Sequence, residues 1–255
     1  MDKMIKRKVK VTKEDISGRC EKLDDFVALD APICLFVNDK YFRTLMASPN
    51  MLKELAIGHL LSEGVISSLS DIKALSVKDY RVEAVLNHEV DVNNLLLGKS
   101  ILLTTACGMD SRIGNVELNR IKVNANERLN PKDVVAIIGE LNRRGTIFRE
   151  TGGTHSALIY HIDAGELAFS EDVGRHNAID KVIGAGFLKN IKLNECVLAS
   201  SGRISGEIVL KAARAGITHI CSVSAPLYSG VKLACSTGVE LVGFVRGPRM
   251  NRYAC

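Results

Sequence analysis

Between Asn130 and Val245 the chain alternates short apolar runs with amphipathic helical stretches, and this rhythm limits the possible architecture more than any other feature. Asn130 and Pro131 form an N-cap and first-turn pair that opens the helix PKDVVAIIGELNRR. SALIYHI and ELAFS read as strands, followed by a helix through HNAIDKVIGAGFLK. CVLAS is another strand, SGEIVLKAARAG a helix, THICSV a strand, LYSGVKLACSTG a helix and ELVGFV a strand. Connections between them are short. The pattern predicts α/β layering, with helices packed against a largely parallel sheet.

The first hundred residues have a different rhythm, with strands around one helix. KVKVT and PICLFVNDKYFRTLMAS alternate apolar and polar residues, and the turn-like NDK predicts a hairpin. NMLKELAIGHLLSEG predicts a helix with Asn50 as N-cap, a stripe of Leu52, Leu55, Ile57, Leu60 and Leu61, and Gly64 closing it. VEAVLN and ILLTTA read as further strands. From 108 to about 130 the chain turns polar (Gly108, Asp110, Ser111, Arg112, Gly114, then Asn124, Asn126, Glu127 and Arg128), which predicts a long loop with at most one short strand. The 255 residues are enough for one large or two modest domains. The expected division is a mixed strand and helix subdomain over 1–129 and an α/β subdomain over 130–255.

Composition removes several classes of function. Hydrophobic residues at 46% and charged residues at 25% suit a globular protein with a sizeable core. Aromatics are only 5% and tryptophan is absent, so a stacking surface for single-stranded nucleic acid is poorly supplied. A net charge of +5 suits a phosphate-bearing small molecule or an acidic partner better than a duplex, so nucleic acid is not an expected partner. The start, MDKMIKRKVK, is too basic for a secretory signal, and no apolar stretch approaches the roughly 18 residues of a membrane helix. The expected location is the cytoplasm, with no membrane partner.

Seven cysteines stand at 20, 34, 107, 196, 221, 235 and 255, an odd number without C-x-x-C spacing, so free thiols are expected and a zinc site is not. Cys34, Cys196 and Cys221 lie inside apolar runs, where burial explains them. Cys107 differs. It ends the run LLTTA beside Gly108, where a thiol is either an incidental core residue or one presented to a partner.

Ligands of an α/β sheet bind where strands end and helices begin. Four such junctions carry unusual residues: RETGGTH with Gly152, Gly153 and His155; SEDVGRHNAIDK with Arg175 and His176; SSGRISGE with Arg203; and GFVRGPRMNR with three arginines. Glycine lets backbone N–H groups approach a phosphate, and arginine offers it a planar fork of donors. None matches the P-loop or the dinucleotide G-x-G-x-x-G pattern. Taken singly, each is a tight turn with solvated arginines. Asp172 and His176, four apart, form either an oriented base or a capping pair.

The blocks TGGTHSALI, EDVGRHNAIDKVIG, SGRISGEIVLKAARAGI, the SAP at 224–226 and GFVRG closely resemble the motifs of the FdhD family, the formate dehydrogenase accessory sulfurtransferases. The resemblance runs in order from about residue 25 to 247. It implies a cytidine deaminase-like α/β fold, a homodimer and a cytoplasmic sulfur carrier. It further implies that sulfur is taken from a cysteine desulfurase as a persulfide. That sulfur passes to the molybdenum (or tungsten) bis-guanine dinucleotide cofactor, Mo-bis(molybdopterin guanine dinucleotide), on which the client formate dehydrogenase depends. The cofactor is then a bound substrate, and no resident metal is expected.

The family's persulfide cysteine falls on Cys107, at the head of a mobile loop over about 107–129. Its cofactor-contacting stretch falls on Phe244, Val245, Arg246, Gly247, Pro248 and Arg249, with Gly152, Gly153, His155, Arg175, His176 and Arg203 as further pocket candidates. One departure is visible: where many members carry a second loop cysteine, this chain has Asp110. An acid there raises the Cys107 pKa and Arg112 acts the other way. Two rival functions stay in view. A zinc deaminase requires H-x-E and P-C-x-x-C signatures, which the sequence lacks. A chaperone that binds and inserts the guanine dinucleotide cofactor without sulfur chemistry differs from the carrier only at Cys107.

Overall fold

Short connections decide which strands of the second half run parallel. The computed structural model describes residues 5–91, 121–125 and 127–253; Cys107 and most of the polar segment after it lie outside the described residues. A six-stranded sheet holds β7 (His155–His161), β8 (Gly165–Asp172), β9 (Cys196–Ser200), β10 (His219–Ser222), β11 (Glu240–Arg246) and β12 (Arg249–Tyr253) in the order β12-β11-β10-β9-β7-β8. Helices link β9 to β10 and β10 to β11, and these pairs are parallel. Tight turns join β7 to β8 and β11 to β12, and a tight turn returns the chain antiparallel. Because β7 also pairs antiparallel with β9, the sheet is mixed where a largely parallel one was expected.

Alternate residues of these strands face two cores, which is why the strands read as continuous apolar runs. Ala157, Ile159, Leu198, Ile220 and Leu241 face one core. That core also holds Ile179 of α4 (Arg175–Leu188), Ile208 of α5 (Gly206–Arg214) and Leu233 of α6 (Tyr228–Thr237). Leu158, Val197, Ala199, Cys221 and Val242 face the other, against Val134, Ile137, Ile138 and Leu141 of α2 (Pro131–Arg144). Asn130 caps α2 as its sequence predicts, accepting from the Lys132 backbone N–H at 2.9 Å. A short helix, α3 (Thr146–Thr151), follows where no helix was expected.

The first half supplies a four-stranded sheet, a helix and a ribbon. Strands β3 (Ala31–Val37), β4 (Lys40–Ala47), β5 (Ile72–Lys78) and β6 (Arg81–Leu86) lie in the order β4-β3-β6-β5. The expected β3–β4 hairpin turns on Asn38 and Asp39, both at positive φ, as a two-residue turn matched to strand twist requires. α1 (Leu52–Ser62) packs between this sheet and α4. The approach is backbone to backbone: a Cβ on Gly58 would lie 1.8 Å from the Asp180 carbonyl oxygen, and one on Gly184 1.9 Å from that of Glu54. Core side chains from both halves of the chain form one continuous cluster. Among the described residues, β1 (Lys6–Glu14) and β2 (Cys20–Ala28) pair only with each other, as a largely exposed ribbon.

Asn50 does not cap α1. Met51 holds the N-cap position with φ +51°, and the Asn50 amide oxygen accepts from Lys181 Nζ at 2.8 Å. Lys181 and Asp172 are fully buried and paired, and Lys181 also donates to the Ser48 carbonyl at 2.9 Å. A second buried cluster lies along the same seam. Asp180 accepts from Lys211 at 2.6 and 2.7 Å and from Ser62 Oγ at 2.8 Å, with His59 Nδ1 at 3.1 Å. Opposite charges taken out of water in this way must be paired and hydrogen-bonded, which ties α1 to α4 and α5.

Candidate functional site

The mixed topology gathers the unusual turns at one edge of the six-stranded sheet. β9 and β10 end there at Ser200 and Ser222, and β11 ends there at Arg246. β7, running the opposite way, begins there at His155, whose register partner is Asp172 at the end of β8. Four of the sequence-predicted segments therefore converge at the carboxyl edge, where open α/β sheets bind ligands.

Serines stitch the turns together. Ser156 N–H donates to Ser201 Oγ at 2.9 Å, Gly202 N–H to Ser200 Oγ at 3.1 Å, Ser224 N–H to Ser222 Oγ at 3.0 Å, and Ser222 Oγ to the Gly202 carbonyl at 2.7 Å. Ile204 and Pro226 form an isolated bridge between two of the turns. These hydroxyls satisfy backbone groups that no strand partner reaches. The sequence marks the serines of SSGRISGE as unusual at this junction, but not their stitching role nor that of Ser222 and Ser224.

Asp172 shapes the turn that begins α4. Its Oδ1 accepts from Gly174 N–H at 2.8 Å and Asn177 Nδ2 at 3.1 Å, and its Oδ2 accepts from Ser48 N–H at 3.0 Å and from Lys181. Asp172 thus fixes the turn that leads into α4, whose N-cap Gly174 has no side-chain cap, and the expected Asp172–His176 pair is not formed. His176 Nε2 instead lies 3.5 Å from Glu207 Oε2. Burial, with Lys211 and Arg175 close by, holds His176 neutral down to about 3, against a smaller opposing pull from Asp180.

Arg175, the first residue of α4, sits beside His155. A Cβ on Gly202 would lie 2.9 Å from Arg175 Cβ and 3.5 Å from His155 Nδ1, so only glycine lets the three meet. His155 Nδ1 lies 3.5 Å from Ser201 Oγ. Burial lowers the His155 pKa, and Arg175 and Arg203 push the same way while Asp172 opposes them. A neutral imidazole, two guanidiniums and open backbone therefore share this corner. Arg203 itself is exposed.

The C-terminal candidates form the β11–β12 hairpin. Phe244, Arg246, Gly247, Pro248 and Arg249 are exposed, whereas Val245 is buried in the core under α2. Gly152 and Gly153 precede His155 but serve the chain path. Gly152 ends α3 at φ +64°, and a Cβ on Gly153 would lie 2.9 Å from Ala28 of the ribbon. Burial raises the thiols of Cys196 to about 11 and Cys221 to about 12, as core positions should. Cys34 is half-buried, Cys20 is exposed, and Cys235 is disulfide-bonded, against the expectation of free thiols throughout. Among the described residues no three His, Cys, Asp or Glu side chains converge as metal ligands, and no helix is long and apolar enough to cross a membrane.

Fold and edge define a class: an α/β protein that presents cations and open backbone beyond its carboxyl strand ends. The comparisons narrow it. The family model described as FdhD/NarQ matches residues 28–255, and the chain belongs to that family. It is 35% identical over 250 residues to the sulfur carrier protein FdhD of Sulfolobus acidocaldarius, covering 97% of this chain and 96% of the relative. It is 38% identical over 253 residues to the protein of that name from Anaeromyxobacter sp., covering 90% and 87%. A crystal structure from Desulfotalea psychrophila, described as a formate dehydrogenase accessory protein, superposes with a TM-score of 0.81 at 24% identity over 99% of this chain and 98% of that one, which bears out the fold.

Proposed function

We propose that this protein is a sulfur carrier that loads a persulfide on Cys107 from a cysteine desulfurase. It delivers the sulfur to the bis-guanine dinucleotide cofactor of molybdenum or tungsten required by formate dehydrogenase. The observation that carries this reading is the match, over nearly its whole length, to relatives named sulfur carrier protein FdhD. The chemistry of the edge supports it. A cofactor with two pyrophosphates needs cationic forks and close backbone approach, and Arg175, Arg203, Arg246 and Arg249 stand among turns opened by Gly174, Gly202 and Gly247.

In this account the Cys107 thiolate attacks the terminal sulfur of the desulfurase persulfide, breaking its S–S bond and releasing the desulfurase thiolate. The terminal sulfur of Cys107–S–SH then passes to the cofactor's metal, which supplies two electrons to make it sulfide, and Cys107 returns to the thiol. His155, Arg175 and Arg203 hold the phosphates while this happens. The protein works as a cytoplasmic homodimer.

Complementation separates a carrier from a chaperone. In cells lacking this protein, wild type restores formate dehydrogenase activity, and Cys107→Ala restores less than about a tenth of it. Full restoration by Cys107→Ala would leave cofactor insertion as the function.

A further inference from the structure

The β1–β2 ribbon sorts its charges by strand. β1 carries Lys6, Arg7, Lys8, Lys10 and Lys13 against one acid, Glu14, whereas β2 carries Glu21, Asp24 and Asp25 against Lys22. Pairing within the protein uses little of that charge. Lys8 Nζ lies 2.9 Å from Asp24, and Lys6 pairs with Glu150 of α3. Arg7, Lys10 and Lys13 are exposed, and among the described residues none of them has an ion-pair partner.

The ribbon has one open edge. α3 packs against β2, and a Cβ on Gly153 would lie 2.9 Å from Ala28, which fastens the β2 side two residues from His155. Among the described residues no strand pairs with the other side of β1. Alternation puts Lys6, Lys8 and Lys10 on one face of the ribbon and Arg7 and Lys13 on the other. Neither face is therefore uniformly basic, and the cations share only the edge. A broad anionic surface such as a duplex or a bilayer would meet part of the set, with Asp24 or Asp25 beside it. An extended acidic segment running along β1 meets the whole set, because its own side chains alternate between the same two faces.

The same charge selects the occupant. A second copy offering its own β1 would set lysine against lysine, which is how open edges avoid pairing with themselves. Residues 92–120 of this chain are poorly matched, with Asp110 and Glu117 against Lys99, Arg112 and Arg120. The tip adds an apolar contact. Asp15 Oδ1 accepts from the Ser17 and Arg19 N–H groups at 2.7 and 3.2 Å, and this fixed turn holds Ile16 fully exposed.

We propose that the open edge of β1 docks an acidic, extended segment of the sulfur donor, which adds to the ribbon as a third strand. This rests on the sulfur-carrier reading and names the surface on which the donor lands. Because the ribbon packs on α3, a donor docked along β1 leaves the turns after β9, β10 and β11 to the acceptor. Exposed charge of this kind speeds encounter more than it tightens binding, as suits partners that meet and part at every transfer.

The test is the rate at which Cys107 gains sulfur, followed by intact-protein mass spectrometry on the full chain. Sulfur is supplied either by a cysteine desulfurase with cysteine or by glutathione persulfide. In the charge-reversed variant Arg7→Glu/Lys10→Glu/Lys13→Glu, desulfurase loading slows about tenfold at low salt, and glutathione persulfide loading stays within about twofold of wild type. The charge-keeping variant Arg7→Lys/Lys10→Arg/Lys13→Arg loads like wild type from both, and adding the desulfurase to wild type slows amide exchange along β1. Desulfurase loading of the charge-reversed variant within about twofold of wild type, or unchanged exchange along β1, overturns the docking edge and leaves the carrier reading standing. So does equal slowing with both sulfur sources, or a fall of the charge-reversed variant to a smaller oligomer in size-exclusion chromatography, which makes a second copy the occupant. A wild type that gains sulfur from neither source overturns both.

Discussion

The start of α4 belongs to two regions that use charge in opposite ways. Along the seam with α1, Asp172 pairs with Lys181 and Asp180 with Lys211, all four buried. At the carboxyl edge, Arg203, Arg246 and Arg249 are exposed. Buried charges need partners because desolvation is expensive. Exposed cations at strand ends are available to an anion. The stretch EDVGRHNAIDK therefore does two jobs: Asp172, Asn177, Asp180 and Lys181 clamp the helix, and Arg175 at its start is held beside His155 at the edge, whereas His176 turns to Glu207 and the Asp180–Lys211 cluster.

The sharpest break of this comparison is to strand one charge of the seam. Lys181→Met leaves Asp172 buried without its cation and lowers the unfolding free energy by about 3–5 kcal/mol, or about 6–20 °C in thermal midpoint. Adding Asp172→Asn to that variant recovers part of the loss, as a double-mutant cycle in urea will show. Next in size is Gly58→Ala, which drives a methyl into the Asp180 carbonyl and costs about 3 kcal/mol. Gly139→Ala, in open space on α2, instead stabilises by about 0.5–1 kcal/mol in the same assay.

An effect smaller than those of Lys181→Met and Gly58→Ala depends on pH. Unfolded chains protonate histidine near 6.5, whereas folded His176 stays neutral to about 3. Stability present above pH 6.5 is therefore lost as pH falls toward 3. His176→Gln removes that proton linkage and makes the acid slope between pH 6.5 and 4 shallower by about 1–2 kcal/mol, read from urea midpoints across pH. The smallest change in stability is expected at the edge. Arg203→Ala shifts unfolding by less than about 0.5 kcal/mol, yet weakens GDP about fivefold in a binding titration.

How much of this was legible in the sequence depended on burial. β7, β9, β10 and β11 were readable because both faces of the six-stranded sheet are covered, which makes their apolar runs continuous. β2, reading CEKLDDFVA, was not, because only Leu23 and Ala28 of it are even partly buried and it carries no alternation like that of its partner KVKVT. The turn at Gly247–Pro248 was visible, but the polar strand RMNRY after it was not. Glycine and arginine marked the turns that the topology gathers at one edge. The partners of Asp172 were invisible: Lys181 is nine residues away and Ser48 124 away, and only tertiary packing brings them together. A β-bulge at Phe244, with φ +52°, was equally hidden, since nothing in GFVRG marks phenylalanine rather than glycine as the left-handed residue.

Sulfur carriage on Cys107, with the acceptor held at the edge, is what we propose for this fold. Its most direct test is intact-protein mass spectrometry after incubation with a cysteine desulfurase and cysteine, wild type beside Cys107→Ala. The account predicts one added, reducible sulfur atom in wild type and none in the variant. No addition to wild type from a competent desulfurase, or equal addition to both, would contradict it.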